Sequence, residues 1–429
     1  MDDLVIIGAG AAGLATAIFA ARTAPRMSIR CVDGARHLGA KILVSGGSRC
    51  NVTNRAVSER DFWGGSSRIV RNVLRAFPAA RAIEFFAGIG VTLHEEEDGK
   101  LFPDTNRSRS VLDALLAEAA RLQVVVQSGH RVTSLSRDHD RFRVGIAGRD
   151  EIDARAVVLA TGGQSLPKTG SDGFGYQLAR TLGHRIVQTT PALAPLLLDD
   201  DWHVALSGVA HPAAATLQID GHDDDGRTRR ARVLRLQGDW LWTHFGASGP
   251  LALNLSRHWH RAMLDGGANV SLSVLPGETF ESLETWLLAQ ERGRPRARVA
   301  TVLATRLPAS VANVWAEIAG VDADTTLAHV TRDERRRLAH ALTTLPLIVR
   351  GSRGYQFAEA TAGGVSLDEI DSATLESRCC PSLYLVGEIL DVDGRLGGFN
   401  FQWAWSSGFV AGQSVAKRLG EFRGIHTEV

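Results

Sequence analysis

The stretch Leu4-Val5-Ile6-Ile7-Gly8-Ala9-Gly10-Ala11-Ala12-Gly13 decides the architecture. Four consecutive apolar residues read as a strand buried on both faces. Three glycines spaced G-x-G-x-x-G follow, then a run of small and apolar residues that reads as a helix. A second strand, Ser28 to Val32, ends at Asp33, 20 positions beyond the third glycine. Strand, glycine turn, helix, strand and terminal acid together predict a doubly wound α/β unit.

The chemistry needs each part. Gly8 permits the tight turn, Gly10 lets backbone approach a pyrophosphate, and Gly13 lets the helix pack against the strand. The N–H groups at Ala11 and Ala12 and the dipole of that helix suit phosphate oxygens. Asp33, with Gly34 beside it, is placed to accept hydrogen bonds from ribose hydroxyls, and a carboxylate there disfavours a 2′-phosphate. FAD and NAD remain. The far end of the chain decides for FAD. About 370 residues on, a second apolar strand, Leu383-Tyr384-Leu385-Val386, runs into Gly387-Glu388 and a Gly-rich loop. The helix-like run Asn400-Phe401-Gln402-Trp403-Ala404 follows, after Gly398. A long flavin cofactor needs such a second anchor. Glu388 is expected to bind the ribityl hydroxyls, and the helix from Asn400 to aim its positive end at the flavin edge that gains charge on reduction.

The 429 residues are 44% hydrophobic, enough for two or three domains. Residues 1–192 and 346–429 read as one discontinuous Rossmann-like FAD-binding domain. Residues 193–345 read as an insert, β-rich over 193–277, with short strands and polar turns such as Gly221 to Gly226, and helical over 278–342. Residues 35–65 read as loop. Forty-eight basic and 47 acidic residues leave a net charge of +1, which gives no prior for nucleic acid or an anionic membrane as partner. The uncharged stretch from residue 4 to 21 follows Asp2 and Asp3 rather than positive charge, so it reads as buried strand and helix and not as a signal peptide or span. Cys31, Cys50, Cys379 and Cys380 show no metal-ligand spacing and fit a reducing cytoplasm. No metal is expected, and the oligomeric state is open.

Five further segments carry a resemblance. They are Gly39 to Asn54, holding Ser45-Gly46-Gly47-Ser48-Arg49-Cys50-Asn51; Leu101-Phe102-Pro103; Ala160-Thr161-Gly162-Gly163 through Gly173; Thr243-His244-Phe245-Gly246-Ala247-Ser248-Gly249-Pro250; and Thr361-Ala362-Gly363-Gly364-Val365 through Asn400. In this order they resemble the YhiN/BaiN-type family of NAD(P)/FAD-dependent oxidoreductases, within the glutathione-reductase-like FAD superfamily. The resemblance implies FAD contacts by Lys41, Gly46, Arg49 and Asn51, and an adenine contact near Val132; Cys50 among them reads as packing or simple flavin contact. Ala160, Thr161 and Gly162 follow a core strand and are expected close to the cofactor. Two positions depart from the family pattern. Ser48 replaces a glycine and would be strained if that position needs positive φ. Phe399 stands where the family often has tyrosine.

Gly173-Phe174-Gly175 lacks a third glycine and a preceding apolar strand, so no second dinucleotide fingerprint is present. NADH or NADPH is then expected to dock only transiently at the flavin. Cys50 has no partner at C-x-x-C spacing, so no dithiol relay is encoded. His244 is the candidate proton donor or substrate partner, and Arg107, Arg350 and Arg353 are candidates for an acidic substrate. The resemblance implies reduction of a small molecule at a conjugated C=C bond. Two other readings stand beside it: a flavin-dependent RNA-modifying enzyme and a non-catalytic redox-sensing flavoprotein.

Overall fold

A computed structural model describes residues 1–222 and 228–424. Its contacts divide the chain into two compact units, Met1–Thr190 with Ala358–Val429, and Pro191–Phe357.

The first unit is built on β1 (Asp2–Ile7), whose Leu4, Val5 and Ile6 are fully buried. Helix α1 (Ala11–Thr23) follows, then β2 (Ile29–Val32). Helix α2 (Ala40–Ser48) lies within the stretch read as loop, and its backbone leaves helical geometry from Ser45 on. Its first turn is Lys41-Ile42-Leu43-Val44, but only Ile42 is buried, so the apolar period was too short to signal a helix. After helices Ser67–Ala76, Ala79–Gly88 and Ser108–Arg121 come β3 (Val125–Gln127), β4 (Val132–Asp138), β5 (Arg141–Ile146) and β6 (Ile152–Leu159). Strand β7 (Leu383–Leu385) completes the sheet.

Strands β3, β2, β1, β6 and β7 are parallel neighbours in that order, with Ile6 opposite both Cys31 and Val158, and Val158 opposite Tyr384. The antiparallel β4–β5 hairpin joins the other end of β6. The parallel order sets the carboxyl ends of β1, β6 and β7 side by side. In open α/β sheets that is where ligands bind.

The C-terminal helix Phe399–Gly424 lies against α1. Gly408 and Gly412 are the reason. A methyl on Gly408 would stand 2.9 Å from the Ala12 carbonyl oxygen, and one on Gly412 2.6 Å from that of Thr16. Two helices thus meet backbone to backbone, which only small residues allow.

The second unit holds an antiparallel sheet in the order Leu345–Leu347, Ala268–Ser273, Ala210–His222, Thr228–Thr243, Gly246–Ser248, Leu196–Leu198, Val349–Ser352. Helices Phe280–Gly293, Val299–Leu303, Ala309–Ile318 and Arg332–Thr344 pack with it around fully buried Trp240, Trp242 and Trp315. The expectation of short strands needs correction at two places. Ala210–His222 and Thr228–Thr243 are long, and Gly249–Leu264 is a helix. Leu251, Leu255, Trp259 and Ala262 form its buried stripe, a helical period masked by intervening His and Arg. The turn read at Gly221 to Gly226 falls largely outside the described residues. Among those described, no helix is long and apolar enough to cross a membrane.

Candidate cofactor and active site

The turn after β1 sorts its three glycines by their surroundings. Gly8 has φ 106°, and a methyl there would overlap the Ala160 carbonyl. A methyl on Gly13 would overlap the Gly8 carbonyl. Gly10 is different. Its φ is an ordinary −82°, and a methyl would meet nothing within 4 Å. Neither conformation nor packing demands glycine at that point, and the missing side chain leaves the start of α1 open. No side chain caps α1, and its first turn holds no acid. The N–H groups of Ala11, Ala12 and Gly13 therefore lack partners within the helix. A diphosphate fits this cradle.

Asp33 ends β2 beside it. One carboxylate oxygen accepts the Ala9 N–H at 2.8 Å and the other the Ala35 N–H at 2.8 Å. Each keeps a lone pair for a sugar hydroxyl. Arg131 packs over Gly34, where a methyl would stand 2.8 Å from its Cδ. Val132 is buried at the start of β4, opposite Ile146. At the end of β6, the Ala160 N–H donates to the Ile7 carbonyl at 2.9 Å. Thr161 follows with a buried hydroxyl that has no hydrogen-bond partner, and Gly162 turns the chain with φ 72°. That hydroxyl faces Gly175, where a methyl would stand 1.9 Å from it, rather than the open glycine cradle.

A second centre joins four distant segments. Lys41 Nζ donates to Glu388 Oε2 at 2.6 Å and to Ser165 Oγ at 2.6 Å. Glu388 Oε1 accepts from Ser165 Oγ at 2.9 Å and from the Thr361 N–H at 3.0 Å. The Thr361 hydroxyl in turn accepts the N–H groups of Gln164 and Ser165. Lys41 and Glu388 were both expected near the flavin, and the structure brings them into one ion pair. Gly387 comes close to the phosphate cradle: a methyl on it would stand 2.8 Å from the Ala12 Cβ. The two ends of the chain thus meet in one place, with the Trp403 indole N–H holding the Gly387 carbonyl at 3.0 Å.

Other expected residues are spent on the protein itself. Arg49 grips both oxygens of Glu96 and lies 4.1 Å over the Phe102 ring. Cys50 is fully buried, and burial pushes its thiol up to about 12, against a smaller lowering by Ser45. The Asn51 amide, with its oxygen toward the Gly398 N–H at 3.1 Å, donates to the Thr53 carbonyl at 2.8 Å. Asn400 clamps Gly394, accepting its N–H at 2.8 Å and donating to its carbonyl at 3.0 Å. Gln402 is fully buried, accepting from the Thr53 hydroxyl at 2.6 Å and donating to the Phe77 carbonyl at 2.8 Å. Phe401 stacks on Trp405, with ring centroids 5.6 Å apart. Among these contacts, Asn51 with Gly398 and Thr53 with Gln402 fix the Gly46–Asn54 loop to the start of the C-terminal helix. Gly46, Gly47 and Ser48 are all left-handed, with φ 54°, 66° and 65°. Ser48 therefore carries the strain that the sequence suggested. His244 sits exposed in the turn between two strands of the second unit, edge-on to Phe245 at 5.0 Å.

Sequence reasoning missed Ser165 and Thr361, although both lie in segments singled out for their glycines. Their signal is a hydroxyl within two or three residues of a Gly-Gly pair. It also missed a group assembled from distant residues. His184, Glu369 and Cys379 place possible metal-ligand atoms within 4.8 Å of one another. The two ring nitrogens of His184 already bond Glu369 at 2.9 Å and Ser377 at 2.8 Å, which accounts for the cluster as a hydrogen-bonded strut.

The model of the HI0933-like protein Rossmann domain matches residues 2–414. The chain belongs to the HI0933-like family. It is an FAD-dependent oxidoreductase, and the glycine cradle and Asp33 fit that cofactor. Two curated relatives span nearly the same length. The ribosomal RNA dihydrouridine synthase of Escherichia coli (strain K12) is 32% identical over 417 residues, covering 96% of this chain and 98% of the relative. The 3-dehydro-bile acid delta(4,6)-reductase of Clostridium scindens is 30% identical over 419 residues, covering 97% and 100%. Among solved structures, the quinol fumarate reductase subunit FrdA of E. coli is similar in fold, with TM-score 0.50 at 18% identity, covering all of this chain and 73% of that one.

Proposed function

We propose that this enzyme saturates a ring C=C bond conjugated to a carbonyl in a small molecule, with NADH or NADPH as the source of electrons. One observation carries the reading. Two relatives that match almost end to end bear names denoting saturation of a ring double bond, in a uridine and in a 3-dehydro-bile acid. Bound FAD would supply hydride from its reduced N5. The chain's own residues bind and orient it. The α1 cradle at Gly10 to Gly13 holds the diphosphate, Asp33 the ribose, and Lys41 with Glu388 the ribityl and flavin end. His244 is a candidate partner for the substrate.

A uracil base of ribosomal RNA is the second reading. It is favoured by two relatives named for that reaction, at 32% and 30% identity. The balanced net charge of +1 favours the small molecule. The test is anaerobic. Purified protein carries flavin absorbance near one per chain, NADH or NADPH bleaches it, and a cyclic enone restores it. Restoration by a uridine-containing RNA and not by any enone would move the assignment to the second reading. A colourless protein that cannot be reconstituted with FAD overturns both.

A further inference from the structure

The second unit holds an arginine that the function proposed above leaves without a task. Arg353 follows the edge strand Val349–Ser352, and its N–H donates to the Pro195 carbonyl at 2.9 Å. Ser352 before it is fixed as well, 2.7 Å from His260 Nε2 and accepting the Gly354 N–H at 3.2 Å. The Phe357 N–H reaches back to the Gly354 carbonyl at 3.1 Å, and this turn lays the Phe357 ring on Arg353. The guanidinium carbon stands 3.4 Å from the ring centroid of Phe357 and 4.7 Å from that of Phe245. Phe245 is the ring that His244 meets edge-on. All of these residues lie within Pro191–Phe357.

Stacking on a ring fixes an arginine, but the N–H groups in the plane of the guanidinium still need acceptors. Elsewhere in this chain they meet an acid. Arg49 lies over Phe102 and bonds Glu96, Arg306 lies over Trp286 and bonds Glu278, and Arg395 lies over Phe399 and bonds Asp61. Arg353 touches two rings, yet among the described residues its guanidinium has no hydrogen-bond or ion-pair partner. It is half-buried, whereas Arg107 and Arg350 are exposed. A charged fork held still before anything binds is a preorganised anion receptor.

Resting on the reaction proposed above, we propose that Arg353 binds a carboxylate on the substrate, so that the enone this enzyme reduces is an acid. A carboxylate meets the edge of a guanidinium with two parallel N–H···O bonds. The Phe357 ring, 43% exposed, offers apolar surface to the carbon skeleton that carries the carboxylate. His244 precedes Phe245 in the chain, which ties this anion site to the candidate substrate partner. Arginine stays charged throughout the working pH range, so the ionised acid is the form selected.

The test uses the FAD-loaded full chain and two acceptors of one skeleton, 4-oxocyclohex-2-ene-1-carboxylate and its methyl ester. Wild type should favour the acid by about 30-fold in kcat/KM, with the difference lying in KM. Arg353→Gln should bring that ratio below about threefold. Arg353→Lys, which keeps the charge and loses the fork, should restore it only in part. Calorimetry with cyclohexanecarboxylate, which has no C=C bond to reduce, should show binding to wild type about tenfold tighter than to Arg353→Gln. A ratio in Arg353→Gln that stays above about tenfold overturns the proposal, as does a wild type without preference or equal binding of cyclohexanecarboxylate by the two proteins. Slower bleaching by NADPH with the acid preference intact assigns the arginine to a phosphate of the electron donor and overturns it too. If neither enone reoxidises wild type, the reaction assignment fails, and the calorimetry still judges Arg353.

Discussion

The two glycine turns of the first unit look alike as sequence and differ in what holds them. In Gly8 to Gly13 the glycines chiefly serve space: Gly8, which also has a φ of 106°, and Gly13 admit neighbouring backbone, and Gly10 leaves room for something outside the chain. In Ser45 to Cys50 they serve conformation. Gly47 has open space around it but a left-handed φ of 66°, and Ser48 and Cys50 are left-handed without being glycine. The first turn is cheap to build and made to receive a ligand. The second is strained, and it persists because Asn51, Thr53, Gln402 and Trp405 tie the adjoining segment to the C-terminal helix.

This contrast can be broken at four points. Gly13→Ala drives a methyl into the Gly8 carbonyl and should cost about 3 kcal/mol in urea unfolding; a loss below about 1 kcal/mol would mean that the helix start is not closely packed. Lys41→Met leaves Glu388 without its cation. The pair is 25% and 16% exposed, so the expected loss is about 1–2 kcal/mol, between the costs of breaking surface and buried pairs. Gly10→Ala should fold with less than about 1 kcal/mol change yet retain FAD about tenfold less tightly, some 1.4 kcal/mol, on dialysis; unchanged retention would remove Gly10 from the cradle. Ser48→Gly relieves a left-handed serine and should stabilise by about 1 kcal/mol in thermal unfolding.

Cys50 offers a further check on the second turn. A thiol pushed up to about 12 by burial is protonated at every pH below that. Alkylation at about pH 8 should therefore mark exposed Cys379 and spare Cys50 in the native protein. Labelling of Cys50 ahead of Cys379 would revive a redox role for it.

Much of the first unit was legible because its signals are local. A four-residue apolar run, a fixed glycine spacing and a terminal acid lie within 33 residues. The Lys41–Glu388 pair was legible only as two separate candidates, since 347 positions separate them. Ser165 and Thr361 stayed hidden because a hydroxyl carries no distinctive spacing. Arg49, Asn51, Asn400 and Gln402 show the converse. Polar residues in a glycine-rich segment look poised for a ligand, and here Asn51, Asn400 and Gln402 satisfy backbone groups while Arg49 is paired with Glu96. The helix Gly249–Leu264 was missed because His and Arg interrupt its apolar stripe.

The seating of Gly408 and Gly412 on α1 has a consequence during synthesis. Helix α1 is synthesised long before Gly408 and Gly412, so the surface made by Ala12, Ala15 and Thr16 finds its cover only after residue 412 has emerged. The unit Pro191–Phe357 is continuous and complete well before that. Until then α1 lacks the close backbone cover that Gly408 and Gly412 allow. The nascent chain is most exposed to aggregation and most in need of chaperone cover over that interval.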